Sequence, residues 1–114
     1  MTTAASGIGT VLINESRTQM QVTLNTQELQ NVTAAHIHVG PPGVNGPVIF
    51  DLFTGGTFPS TLVVNLTAAD LQPRPAEGIN TFQDAVNAIL AGNTYFNVHT
   101  VANPAGEIRG QITQ

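Results

Sequence analysis

The strongest constraint in this sequence is the alternation of apolar and polar residues with a period of two. Residues 19–24 read Gln-Met-Gln-Val-Thr-Leu, so the apolar Met20, Val22 and Leu24 alternate with polar side chains. Successive side chains of a β-strand point to opposite faces. The pattern therefore predicts a strand in an antiparallel sheet that has one buried face and one solvent-facing side.

Other segments follow the same pattern or are bounded by turn signals. We predict strands over residues 8–13, 19–24, 33–39, 48–53, 57–66, 95–101 and 107–112. A polar turn at residues 14–17 joins the first two strands. Residues 40–47, here called the proline–glycine loop, begin Gly-Pro-Pro-Gly and are too rich in glycine and proline for regular structure.

Two helical stretches interrupt the strands. Thr67 is a candidate N-cap with an acid, Asp70, three residues later, which predicts one or two helical turns. A longer helix is predicted over residues 81–91, where Thr81 caps the start and Gly92 ends the helix. The carboxylate of Asp84 in its first turn interacts favourably with the positive end of the helix dipole.

These elements predict an all-β fold, an antiparallel β-sandwich or Greek-key barrel, immunoglobulin-like or superoxide-dismutase-like, with one short helical excursion. A chain of 114 residues without a linker is expected to form a single domain over residues 1–114. The apolar runs are too short to predict a transmembrane helix. Residues 1–5 lack the features of a signal peptide, so an exported form is expected to be a mature chain.

The charge balance and the lack of cysteine exclude several functional classes. Three basic residues, all arginine, stand against seven acids, for a net charge of −4. A nucleic-acid interface and a polybasic membrane anchor are therefore excluded. Without cysteine there are no disulfides, thiolate metal sites or thiol nucleophiles. The chain also lacks a Gly-x-Ser-x-Gly motif and a phosphate-binding glycine loop, and its carboxylates do not pair as in a glycosidase.

All three histidines fall within predicted strands. His36 and His38 are two residues apart, so their rings project from the same face of one strand. His99 shares one face of a later strand with Tyr95 and Asn97. We assume that the two strands are neighbours, in which case the three imidazoles converge.

The end of the chain predicts a hairpin. The run Asn103-Pro104-Ala105-Gly106 is typical of a three-residue hairpin loop with a glycine bulge. The predicted register pairs Asn103 with Glu107, Val101 with Arg109, and His99 with Gln111. It places these polar side chains on one face of the hairpin: Asn97, His99, Glu107, Arg109 and Gln111.

Three neutral imidazoles make a good site for copper or zinc, and His36, His38 and His99 are the predicted ligands. Three protein ligands leave one position open for water. The predicted fourth ligand or hydrogen-bond partners of the ligands are Glu107, Arg109, Asn97 and Gln111. The charge of Arg109 weakens such a site unless Glu107 or Asp51 neutralises it. The alternative is a metal-free, hydrogen-bonded polar patch in which Glu107 and Arg109 are structural.

The same residues carry a family resemblance. Three segments together resemble the CHRD domain, named for chordin and also present in bacterial secreted or surface proteins: Ala35-His36-Ile37-His38-Val39 with the proline–glycine loop, Asn97-Val98-His99-Thr100, and Gly106-Glu107-Ile108-Arg109-Gly110-Gln111. The resemblance covers about residue 6 to the C-terminus and implies a secreted, cell-surface or periplasmic β-sandwich. It implies a shared site at the histidines, Glu107 and Arg109, and it brings no enzyme activity.

Three functions remain open from the sequence. The first is an exported domain that binds copper or zinc. The second is a non-catalytic surface interaction module, whose partner would be an extracellular protein or a glycan. The third is a small metalloenzyme that uses the open coordination position. None of them involves nucleic acid or membrane insertion, and the sequence leaves the oligomeric state and any reaction undetermined.

Overall fold

Seven strands form two antiparallel sheets in the computed structural model, which describes residues 5–112. The three-stranded sheet has the order β1 (Ser6–Ile13), β2 (Gln19–Gln27) and β5 (Thr61–Thr67). The four-stranded sheet has the order β4 (Val48–Phe53), β3 (Val32–Val39), β6 (Thr94–Thr100) and β7 (Ile108–Gln111). The predicted all-β, sandwich-like fold is confirmed. Within the described residues, no helix is long and apolar enough to cross a membrane.

The period-two alternation decides which side chains enter the core between the sheets. Met20, Val22 and Leu24 of β2 are all buried, whereas Gln19 and Gln21 are exposed, as the pattern predicted. In β3, Ala35 and Ile37 are fully buried against this core. The histidines of β3 consequently lie on the opposite, outer face of the four-stranded sheet.

The predicted helix is confirmed as α1 (Phe82–Leu90). Thr81 Oγ1 accepts a hydrogen bond from the Asp84 backbone N–H at 3.1 Å, and the Asp84 carboxylate accepts one from the Thr81 N–H at 3.0 Å. This reciprocal cap satisfies backbone donors that an isolated helix end leaves unpaired. The Phe82 ring packs edge-on against Phe50, with ring centroids 6.0 Å apart, so the helix is docked on the core. Thr67 similarly precedes a 3-10 turn, Ala68–Asp70.

One strand begins later than predicted. The prediction of a strand from residue 57 is wrong at its start, because β5 begins at Thr61. Pro59 has no N–H to donate to a strand ladder. The Phe58 ring packs edge-on against Phe53, with centroids 4.9 Å apart, so this segment follows the end of β4 instead of pairing with β2.

The register predicted for the closing hairpin is also wrong. Arg109 pairs with Asn97 instead of Val101, and Gln111 pairs with Tyr95 instead of His99. The expected turn is present, since the Gly106 N–H donates to the Asn103 carbonyl at 3.0 Å. However, hydrogen bonds from the side chains of Thr100 and Asn103 to Glu107 widen the loop around this turn. Because every pairing moves by an even number of residues, the predicted side chains keep their face of the sheet.

Candidate metal centre

Pairing between β3 and β6 brings the three histidines together. Ala34 pairs with His99 and His36 pairs with Asn97, so the assumed adjacency of these strands is confirmed. The ring centroid of His36 lies 5.0 Å from that of His99 and 5.5 Å from that of His38. One ring nitrogen of each histidine lies within 4.8 Å of one from each of the others. The imidazoles therefore converge above the outer face of the sheet.

His99 is held in one tautomer by the hairpin loop. Its Nδ1 atom lies 2.9 Å from the carbonyl oxygen of Pro104. A carbonyl only accepts hydrogen bonds, so Nδ1 carries the proton in this contact. When the ring is neutral, Nε2 of His99 consequently carries the lone pair. This atom lies 3.1 Å from Nδ1 of His36.

His36 meets a carboxylate on its other side. Its Nε2 atom lies 3.4 Å from Oδ1 of Asp51, which faces His36 directly on β4. The negative charge favours the tautomer with the proton on Nε2, which leaves Nδ1 as a lone pair toward His99. In that tautomer the two lone pairs face each other, whereas with the proton on Nδ1, His36 donates a hydrogen bond to Nε2 of His99.

His38 has the clearest unsatisfied atom of the three. Its Nδ1 donates to the carbonyl of Gly46 at 2.8 Å, which again places the lone pair on Nε2. That Nε2 atom is buried and has no hydrogen-bond partner among the described residues. The ring stacks on Tyr95, with centroids 4.9 Å apart and an interplanar angle of 11°. Each histidine thus has one nitrogen directed to an oxygen and the other available to a ligand.

Burial and mutual repulsion keep two of the imidazoles neutral. Burial is the main cause that lowers the pKa of His36, followed by the charges of His99 and His38, while Asp51 opposes them. Burial also lowers the pKa of His38, opposed by its bond to Gly46, and the charges of His99, Arg109 and Arg74 lower it further. Neutral imidazole is the form that binds metals, so both rings are ready to act as ligands at neutral pH.

Arg109 and Gln111 hold the proline–glycine loop. The guanidinium of Arg109 donates to Asn45 Oδ1 at 2.9 Å and to the Val44 carbonyl at 2.8 Å. Gln111 Nε2 donates to the carbonyls of Gly40, at 2.9 Å, and Gly92, at 2.7 Å. Both residues lie on the predicted face, and their hydrogen bonds are with backbone and loop atoms. The guanidinium of Arg109 also lies over the Tyr95 ring, 3.6 Å from its centre.

Glu107 and Asn97 occupy different surroundings. One carboxylate oxygen of Glu107 accepts from Thr100 Oγ1 at 2.9 Å and from Asn103 Nδ2 at 3.2 Å, which fixes the hairpin loop. Asn97 lies directly beside His36 in the sheet, and its Oδ1 is buried without a hydrogen-bond partner in the described chain. Among the described residues, the cluster of candidate ligands consists of the three histidines alone.

Sequence reasoning missed the backbone acceptors that orient the rings. Nothing in a sequence marks the carbonyls of Gly46 and Pro104 as partners of particular imidazoles. Glycine is required at position 46, because a Cβ atom there would overlap the Val39 carbonyl. Tyr95 was placed on the correct face, but its stacking on His38 depends on strand pairing across the sheet.

The geometry suits a small transition-metal ion. Metal–imidazole bonds of about 2.0–2.1 Å place neighbouring ligand nitrogens of a tetrahedral site about 3.3 Å apart. The 3.1 Å between His36 Nδ1 and His99 Nε2 is close to that value. His38 offers a third ring nitrogen, and one nitrogen of each ring lies within 4.8 Å of the others. A metal ion held by these three nitrogens would have a fourth position open to water.

Comparison with known proteins identifies the family. No curated protein matches the chain, and no solved structure matches it. The family model of the CHRD domain matches residues 1–112, beginning at residue 1 and not at about residue 6 as expected. The match includes both histidine strands and the closing hairpin. The chain therefore belongs to the CHRD domain family.

Proposed function

We propose that this CHRD domain binds one copper or zinc ion through His36, His38 and His99. The observation that carries the proposal is the state of His38, whose Nδ1 is fixed by the Gly46 carbonyl while its Nε2 is buried and unpartnered. A buried acceptor without a partner costs about 1–3 kcal/mol. A metal ion shared with His36 and His99 offsets that cost.

A metal-free polar patch explains these contacts less well. Such a patch is stable when its members hydrogen-bond to one another. Here one such bond joins His36 and His99 at 3.1 Å, but Nε2 of His38 has no partner in the described chain. The three oxygen contacts point away from the cluster, to Gly46, Pro104 and Asp51. This arrangement is the one in which ligating histidines are usually supported, with the second ring nitrogen bound to a carbonyl or carboxylate.

The donor set favours copper and zinc over harder ions. Imidazole nitrogens suit both metals, and copper binds more tightly where both are free. Calcium and magnesium prefer oxygen ligands. CHRD domains are typically extracellular, and we propose that this domain acts after export. The proposal concerns binding and includes no reaction.

Thermal unfolding with and without metal tests this function. A ligand that binds only the folded state stabilises it, by about 2.7 kcal/mol at a concentration of 100 times its Kd. We expect Zn²⁺ to stabilise the wild-type protein and to lose most of this effect in His99→Ala. The control is Gln21→Ala, an exposed residue of the other sheet, which should respond to Zn²⁺ as the wild type does. Equal stability of the wild type with chelator and with Zn²⁺ would reject metal binding.

A further inference from the structure

We propose that Arg109 is a positioning residue for His38, acting through the proline–glycine loop and Tyr95. The inference rests on the proposed metal site and deepens it, because it names what holds the third ligand in place. Arg109 lies on β7, two strands away from the β3 strand that carries His38. Its influence on His38 therefore passes through intermediate groups.

The first step is the contact between Arg109 and the loop. Its guanidinium donates to the side-chain oxygen of Asn45 and to the carbonyls of Val44 and Pro41, at 2.9, 2.8 and 3.3 Å. A planar guanidinium offers several donors in a rigid arrangement, which lysine and glutamine lack. These bonds fix the loop relative to the four-stranded sheet.

The second step leads from the loop to the imidazole. The Gly46 carbonyl accepts from His38 Nδ1 at 2.8 Å and from the Tyr95 hydroxyl at 3.2 Å. The Gly46 N–H in turn donates to that hydroxyl at 2.8 Å. The position of the Gly46 backbone therefore determines both the tautomer of His38 and the orientation of its ring.

Stacking gives a second connection between the same residues. The guanidinium carbon of Arg109 lies 3.6 Å from the centre of the Tyr95 ring, which stacks on His38. The strand order β3–β6–β7 places Tyr95 between the other two. A guanidinium on an aromatic face and two parallel rings are both favourable contacts. Tyr95 is therefore held between Arg109 and the candidate ligand.

Charge and positioning make opposite predictions, which separates them. A positive charge repels a metal ion, so its removal should strengthen binding if charge alone mattered. Arg74 also bears on His38 by charge, but its guanidinium donates to the Val48 carbonyl and to Gln72, outside the loop. Arg74→Gln is therefore a matched control for removal of charge.

The experiment measures Zn²⁺ affinity by competition with a chromophoric chelator in a double-mutant cycle. We expect Arg109→Gln to weaken binding about tenfold or more, as loss of a residue supporting a ligand usually does. Arg74→Gln should bind equally or more tightly. In the His38→Ala background, Arg109→Gln should change the affinity less than about twofold, because its target is already absent. Tyr95→Phe, which removes only the hydroxyl bridging to Gly46, is a second variant that should also weaken binding.

Several outcomes would overturn the proposal. Unchanged or tighter binding in Arg109→Gln would show that it does not position a ligand, and an equal loss in both backgrounds would show that it does not act through His38. Imidazole ¹⁵N spectra of the metal-free protein give a separate readout: Arg109→Gln should alter the tautomer of His38 while His99 keeps its own. If the tautomer of His38 is unaltered, positioning by Arg109 is refuted whatever the Zn²⁺ affinities are. If the wild type does not bind Zn²⁺, the proposed metal site itself is refuted.

Discussion

The Nδ1 atom of His36 lies 3.1 Å from the Nε2 atom of His99, although the two residues are 63 positions apart in the chain. The Pro104 carbonyl accepts a hydrogen bond from Nδ1 of His99, and Asp51 favours a proton on Nε2 of His36. In the tautomer of His36 that Asp51 favours, the two lone pairs face each other. This relationship supports the proposal that the cluster binds a cation.

Asp51 is expected to support metal binding without being a ligand. Asp51→Asn removes the charge that favours a proton on Nε2 of His36, so the competing tautomer with a protonated Nδ1 becomes more populated. We expect Zn²⁺ affinity to fall about tenfold. Calorimetric titration measures the change, with Glu15→Gln in the β1–β2 turn as a control that removes an equal charge. Equal affinities of the two variants would contradict this role.

The metal-free protein should lose stability in mild acid. The pKa values of His36 and His38 lie below the ordinary 6.5 in the folded state, so the unfolded chain binds more protons between those values and 6.5. Folding stability therefore rises with pH across that window and falls as the pH drops through it. Urea unfolding between pH 8 and pH 5 measures this. The variant His36→Gln/His38→Gln should show a flatter profile, and an equally steep one would contradict the assignment.

Metal affinity should depend on pH more steeply than stability does. Each of the three imidazoles must be neutral to bind, so the slope of log affinity against pH should approach about 3 at low pH. The lowered pKa values of His36 and His38 move their competition with protons below pH 6.5. Zn²⁺ titrations over a pH series test this. A carboxylate site would instead bind down to about pH 4–5, and such a profile would argue against the histidines.

The sequence predicted the faces of the strands better than their partners. Period-two alternation placed His36 and His38 on one face and His99 on the equivalent face of its strand, because that placement depends only on local geometry. The pairing of β3 with β6 is long-range and had to be assumed. Backbone acceptors such as Gly46 depend on how the loop folds back onto the sheet, which no local pattern encodes.

The hairpin register shows where local reasoning failed. The Asn103–Gly106 turn was recognised, but Thr100 bonds to Glu107 and the Val101 N–H bonds to the Asn31 carbonyl at 3.1 Å. These contacts keep residues 99–107 out of the pairing between β6 and β7. The turn alone predicted that pairing would resume immediately, whereas contacts with another loop delay it until Ile108.

A glycine allows the edges of the two sheets to meet. A Cβ atom at Gly9 on β1 would collide with the Phe96 ring and lie 2.7 Å from a methyl group of Leu24. We expect Gly9→Ala to lower the free energy of unfolding by about 1–3 kcal/mol, the usual cost of overpacking. Gly110→Ala is the matched control, because nothing lies within 4 Å of its Cβ position. Urea denaturation measures both, and equal effects of the two variants would contradict the packing argument.

X-ray absorption at the metal edge of the protein loaded with one equivalent of Zn²⁺ or Cu²⁺ tests the histidine site most directly. It reports the number and type of ligand atoms and their distances. Binding by His36, His38 and His99 predicts an equimolar complex with three imidazole nitrogens at about 2.0–2.1 Å and one exchangeable ligand such as water. Failure to form an equimolar complex, or a first shell dominated by carboxylate oxygens, would contradict it.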